Sequence, residues 1–387
     1  MLRRFALLTI AFVLMAMAFP ASSPAHGQDG ASAWTQNATN IRTGPGRNFP
    51  VITTLPADTP LVIEAHNADS SWILLRTLDG QTRGWGSAPL FRLADGISIE
   101  QFPVSEETLP APAAPASGAG AGVSGTAPLN VPQVPRITGA IRSAMRAVYL
   151  RGQQLGNNPR VFSKVGDCQT DHWAFMNVFG WGNYGLGQYG NLQGVIDYFR
   201  VSPREGVGNS FDARSMASHN GFNSAAVLDP QWANPSFCEP GERPLLCEYR
   251  LNRPAVAIIM FGTADVLVMS PEAFYTFMDR IVEYTLEQGI IPVLSTFPEN
   301  PAAAERSRQM NQLVLRLGQR RSVPVMNLAD AVRPLPNWGL AEDGIHLTLP
   351  PGDASGFFTA ENLQYGYAVR NLLVLQTLDV IWRQIIG

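Results

Sequence analysis

Pro254-Ala255-Val256-Ala257-Ile258-Ile259-Met260-Phe261-Gly262 carries no polar side chain. The run is short, has β-branched residues near its middle and ends on Gly. It reads as a strand, and its lack of alternation predicts burial on both faces. The pattern continues outward from it. Downstream, Pro271 to Gln288 is helical, Gly289 to Leu294 a strand, 302–319 helical and Val323 to Leu328 a strand. Upstream, Val161 to Gly166 reads as a strand, and Ile137, Ile141, Met145 and Val148 recur at helical spacing. An amphipathic helix from about Ala360 to Ile386 closes the chain. Strands alternating with helices predict an α/β domain over 137–387, a parallel sheet packed between helices. Chemistry in such sheets gathers at the carboxyl ends of the strands.

Three of those ends carry reactive side chains. Lys164-Val165-Gly166-Asp167-Cys168-Gln169-Thr170 places a thiol where a strand turns into an expected helix, Asp171 to Val178. A thiol at a helix N-terminus has its thiolate favoured by the dipole. Phe261-Gly262-Thr263-Ala264-Asp265 follows the strand quoted first. Glu342-Asp343-Gly344-Ile345-His346 sets a carboxylate three residues before an imidazole, a spacing that lets it orient the ring and stabilise its cation. The chain has five His, so the placement of His346 is informative.

Together these pieces, over roughly residues 160–387, resemble the SGNH hydrolase superfamily, also called GDSL-like lipases and esterases. Gly166-Asp167-Cys168 stands where the family has Gly-Asp-Ser. Gly262-Thr263-Ala264-Asp265 matches Gly-x-Asn-Asp, and Asp343-Gly344-Ile345-His346 matches Asp-x-x-His. Gly182-Asn183-Tyr184-Gly185-Leu186-Gly187 lies where the oxyanion glycine is expected. Gly187 is the choice, with Gly185 and Gly190 as alternatives. The resemblance implies a three-layer α/β/α fold and ester hydrolysis through an acyl-enzyme. Cys168 would be nucleophile, His346 base and Asp343 its orienting partner. The oxyanion donors would be the amides of Cys168 and Gly187 and the residue at position 264. Polysaccharide acetyl esters, lipids and thioesters are all used across the family. Two departures matter. Cys168 replaces serine, which is chemically tolerable because a thiol attacks acyl carbon once His346 takes its proton. Ala264 replaces an asparagine whose amide would donate to the oxyanion. Losing one such donor costs roughly 10²–10³ in rate, and Thr263 is a candidate substitute. Two classes of function follow: a hydrolase, or a catalytically degenerate fold that binds wall or glycan ligands in the old cleft.

The N-terminal half is organised differently. Arg3 and Arg4 precede the apolar run Phe5 to Phe19, and small residues lead to Ser23-Pro24-Ala25. This order reads as a secretory signal over 1–27, cleaved near Ala25 or Gly27, and predicts a secreted or cell-surface protein. The alternative, an uncleaved anchor, is short for a ~30 Å hydrocarbon core. From 32 to 95, short apolar runs are cut by turns such as Asp79-Gly80, which predicts a small all-β barrel. Asn40-Ile41-Arg42-Thr43-Gly44-Pro45, Phe49-Pro50-Val51-Ile52, Leu55-Pro56, Trp72 and Gly84-Trp85 resemble the bacterial SH3-like domain. That resemblance implies a non-catalytic module binding cell-wall peptides or glycans. Gly86 stands where the family has an apolar residue, which predicts a weaker last strand. Trp72 reads as core. Residues 104–136 form a tether: Ser105 to Pro135 holds 6 Pro, 4 Gly, 7 Ala and 3 Ser, a composition that predicts independent movement of the two halves.

Composition narrows the partners. The net charge of −3 includes no basic block, which argues against nucleic acid. No later stretch is apolar enough to span a bilayer. Cys238 and Cys247 sit close together in a Pro/Gly-rich segment, and in an oxidising compartment they read as a local disulfide. Cys168 is then the odd thiol. No Cys/His cluster has zinc spacing and no Gly-rich loop has phosphate-binding form, so neither metal nor cofactor is expected. The aromatics Trp173, Phe175, Phe179, Trp181, Tyr184 and Tyr189 read as core before sugar-stacking surface. His172 is an alternative base, and His219 reads as structural.

Overall fold

The N-terminal strands are three to seven residues long and separated by turns. They are β1 (Ala33–Thr35), β2 (Thr39–Arg42), β3 (Val51–Leu55), β4 (Pro60–His66), β5 (Trp72–Thr77), β6 (Arg83–Ser87) and β7 (Phe91–Leu93). In this computed structural model, which describes residues 30–36, 39–46, 49, 51–55, 58–109 and 131–387, they form one antiparallel sheet in the order β3-β2-β6-β5-β4-β1-β7. The expected signal at 1–27 and the 110–130 part of the tether lie outside the described residues. Ile41, Leu55, Leu61, Ile63, Ile73, Leu75 and Phe91 fill the module's core. Trp85 is fully buried, with Trp72 packed against its cluster, so both read as core. Gly86 pairs with Ile73 inside β6. A Cβ there would sit 2.3 Å from the Phe91 ring, so the glycine makes room for Phe91 and the strand is complete.

The large domain opens with α1 (Gly139–Gln154), whose Thr138 hydroxyl caps the amide of Ile141. Then come β8 (Asn158–Gly166), α2 (Cys168–Asp171), α3 (Asn177–Trp181), α4 (Gln193–Phe199), α5 (Pro244–Asn252) and β9 (Pro254–Met260). The remaining elements are α6 (Asp265–Val268), α7 (Pro271–Glu287), β10 (Ile291–Ser295), α8 (Ala304–Arg321), β11 (Val325–Met326), α9 (Leu328–Val332) and α10 (Gly366–Ile381). The sheet order is β11-β10-β9-β8, all parallel. All seven residues of β9 are buried. Since successive side chains point to opposite faces, both faces of the sheet are covered.

Three expectations change. The single helix expected over Asp171 to Val178 is broken. Its residues 172–176 leave helical geometry, with Met176 at φ 65°. The Asn371 side chain holds that break, accepting from the Met176 amide at 3.1 Å and donating to Ala174 O at 2.8 Å. The closing helix is not amphipathic, because α10 is buried nearly all round, Arg370 and Asn371 included. The two halves also touch. Val51 belongs to the hydrophobic core of the large domain, and Arg42 Nη1 donates to Val268 O at 2.8 Å. The first tether residues fold onto the module, where Leu109 N donates to Thr43 O and the Trp85 indole to Glu107 O. Among the described residues, no helix is long and apolar enough to cross a membrane.

Candidate active site

Cys168 is the first residue of α2, directly beyond β8, and is partly exposed. Asp167 before it is fully buried and serves as N-cap. One carboxylate oxygen accepts from Gln169 N at 3.1 Å, the other from Thr263 N at 3.2 Å. Asp167 thus ties the end of β8 to the end of β9. Asp265, also buried, accepts from the amides of Gly262 (2.9 Å) and Ser224 (2.8 Å) and from the Ser224 hydroxyl.

The electrostatics reverse the thiolate expectation. Burial, followed by the charge of Asp167, pushes the Cys168 thiol up to about 12. A helix of four residues offers little dipole, and desolvation beside a carboxylate outweighs it. Burial, then the neighbouring Asp265, raises Asp167 to about 6, partly offset by Arg370.

The residues that the resemblance offers as base and orienting partner lie side by side. His346 Nδ1 lies 2.7 Å from Asp343 Oδ2. Asp343 Oδ1 accepts from the amides of Ile345 and His346, both at 2.9 Å. Partial burial pushes the Asp343 carboxyl up, but the bonds from the His346 ring and from the His346 and Ile345 amides outweigh it. They hold the carboxyl below the usual carboxylate range. Neither pattern nor resemblance picked out Gln169, which joins the two halves of the site. Its side chain donates to Ile345 O at 2.5 Å and accepts from Leu347 N at 3.2 Å, bracketing His346. Beneath it, the buried Arg370 donates to Gln169 O at 2.6 Å and Thr170 Oγ1 at 2.9 Å, with its guanidinium 3.7 Å from the Phe175 ring centroid. An arginine followed by the apolar run Leu372 to Leu375 was the available signal for this support.

The oxyanion positions fall in different places. Ala264 precedes α6, at the end of β9, and offers no side-chain donor. The Thr263 hydroxyl is buried near enough to Asp167 to favour its charged form, yet makes no hydrogen bond of normal length. Gly187 lies against Phe358 O, and Gly185 pairs with Phe357, both on the C-terminal segment, while Gly190 is exposed. The segment laid beside the Cys168 strand is 217–224. Gly166 N donates to Ala217 O at 3.0 Å, Gly166 bridges to Ser218, and Asn220 N donates to Asp171 at 3.3 Å. Gly221 in this segment has φ 95°, and a Cβ there would meet open space.

His172 Nδ1 accepts from Ala174 N at 3.2 Å, so the neutral ring carries its proton on Nε2. Burial and then the nearby His346 lower its pKa. Both features weaken it as a base. His219 is exposed, with Nδ1 against Asn220 O. Phe175 and Phe179 are core. Trp181 is 55% exposed and stacks on the partly buried Trp173 at 6.4 Å. Cys238 and Cys247 are disulfide-bonded, and Cys168 is the free thiol. A groove of about 900 Å³ beyond β10 and β11 is lined by Glu299, Asn327, Arg308 and Arg333 and contains none of Cys168, Asp343 or His346. The His346 and Asp343 side chains are instead 43% and 46% exposed.

Residues 37–90 match the bacterial SH3 domain family. No curated protein matches the chain. The large domain is similar to solved esterase structures. One is an acetyl esterase, 11% identical, with a TM-score of 0.37, covering 57% of this chain and 98% of that one. Another is a psychrotrophic esterase from Pseudoalteromonas sp., 13% identical, with a TM-score of 0.38, covering 58% and 99%. A third is a lipase/acylhydrolase from Enterococcus faecalis, 14% identical, with a TM-score of 0.38, covering 57% and 95%.

Proposed function

We propose that the large domain hydrolyses acyl esters or thioesters at Cys168, in an exported protein whose SH3 module binds cell-wall peptides or glycans. The observation that carries the reading is the Gln169 bracket, which locks the residue after the thiol to both neighbours of the imidazole. Asp343 engages Nδ1 and leaves Nε2 of His346 as the proton acceptor. A thiol pushed up to about 12 is not a standing thiolate, so Cys168 attacks the acyl carbon only as His346 removes its proton. The tetrahedral oxyanion takes hydrogen bonds from the amides of Cys168 and Gly221. The Gly221 amide takes this role in place of Gly187, because its segment runs beside β8. His346 returns the proton to the leaving group, then activates water to release the acid. The exposure of the Asp343–His346 pair favours acyl groups displayed on a polymer, such as an acetylated glycan.

A second reading is favoured by Ala264 and by the raised thiol: ligand binding in the same cleft without turnover. A screen on p-nitrophenyl acetate, longer acyl esters and acetyl-thioesters, comparing wild type with Cys168→Ala, separates the two. Turnover lost in the variant supports hydrolysis, and equal rates from both proteins contradict it.

A further inference from the structure

The segment carrying the proposed Gly221 donor, and α6, which holds that segment through Asp265 and Ser224, are both gripped by one edge of the SH3 module. Arg42, at the end of β2, is 6% exposed. Its Nη1 donates to Val268 O, the last carbonyl of α6, at 2.8 Å and to Phe49 O in its own module at 2.9 Å. Four residues before Val268 stands Ala264, and Asp265 opens α6 while binding Ser224. Thr53 on β3 donates from Oγ1 to Asp229 Oδ2 at 2.7 Å. Asp229 continues the segment that carries Gly221 and Ser224, and its other oxygen caps Gln231 N at 3.0 Å. Val51, between the two polar contacts, is completely buried in the core of the large domain.

We infer that the β2–β3 edge is a positioning element of the site, with Thr53 fixing the 217–229 segment and Arg42 fixing α6, which holds the same segment through Asp265 and Ser224, and through them the proposed Gly221 donor. A four-residue helix and an irregular loop have little internal stability, so external hydrogen bonds decide how still they are held. Oxyanion donors act only when fixed at the right distance. Loosening them therefore lowers kcat more than it raises KM. The inference rests on the hydrolase reading for its catalytic consequence, but not for the contact itself.

The test measures hydrogen exchange and p-nitrophenyl acetate kinetics on the full chain, for wild type, Thr53→Val, Arg42→Met and Arg42→Lys. Exchange in 217–229 and 262–270 is expected to rise about tenfold in Arg42→Met and less in Thr53→Val. Peptides from β4 and β5 stay unchanged, and Arg42→Lys recovers part of the protection. Arg42→Met also removes the Phe49 contact, so Thr53→Val, which leaves the strand pairing intact, guards against module unfolding. A fall in kcat at near-constant KM alongside the exchange change supports positioning. Exchange that rises when no protein turns over ester keeps the contact and removes the hydrolase reading. Unchanged exchange in both segments of Arg42→Met and Thr53→Val, with the module folded, overturns the inference.

Discussion

The side-chain amide of Gln169 donates to the carbonyl oxygen of Ile345 at 2.5 Å, which fixes the residue after the thiol to the residue before the imidazole. Gln169 is fully buried, so removing its amide strands Ile345 O and Leu347 N. Gln169→Met is expected to cost about 1–3 kcal/mol of stability in urea denaturation. On the hydrolase reading it should also lower kcat by roughly 10²-fold with little change in KM, because Cys168 and His346 lose their register.

The thiol gives a second expectation. With its pKa pushed up to about 12 by burial and by Asp167, Cys168 should alkylate slowly with iodoacetamide at neutral pH. Asp167→Asn removes the adjacent charge and should speed alkylation at fixed pH. A rate unaffected by that substitution would assign the shift to burial alone.

Asp167 also links stability to pH. Burial and then Asp265 raise it from 3.8 to about 6, so the native state holds this proton more tightly than the unfolded chain does. Its stabilising contribution is full below about pH 4 and is lost as pH rises through about 6. The loss amounts to up to about 3 kcal/mol, at about 1.4 kcal/mol per pKa unit. Asp167→Asn gives up one of two accepted bonds at every pH, so the comparison reads the slope. Urea denaturation at about pH 4 and pH 7 should show a smaller fall in the variant.

Much of this was readable in the chain. An unbroken apolar run marks β9 because its two faces are both covered, and Asp343-x-x-His346 forms its pair because three residues of turn suffice to close it. The 217–224 segment was not readable. It lies about fifty residues from Cys168, has neither strand nor helix periodicity, and is placed by two contacts to Gly166. The Gly-rich stretch around Gly187 drew the sequence assignment, whereas the proposal places the donor at Gly221. The sign of the thiol shift was hidden too, since helix position is visible in a sequence and desolvation is not. Arg370 and Gln169 act through partners some two hundred residues apart, which no local pattern records.

Ala264 sets a gain-of-function expectation. Ala264→Asn should raise kcat roughly tenfold to a thousandfold with little change in KM, because the restored amide meets charge that develops only in the transition state. Steady-state kinetics on p-nitrophenyl acetate check it. A change confined to KM would place residue 264 in ground-state binding.

Acyl transfer to the thiol is the step on which the account depends. The direct measurement is intact-protein and peptide mass spectrometry after brief exposure to p-nitrophenyl acetate, on wild type, Cys168→Ala and His346→Ala. One acetyl group is expected on the Cys168 peptide of wild type and none on Cys168→Ala. Labelling should be strongly reduced in His346→Ala, because the thiol depends on that base in the proposed mechanism. No acetylation of Cys168 in wild type, or equal acetylation in His346→Ala, would rule out base-assisted acyl transfer to Cys168.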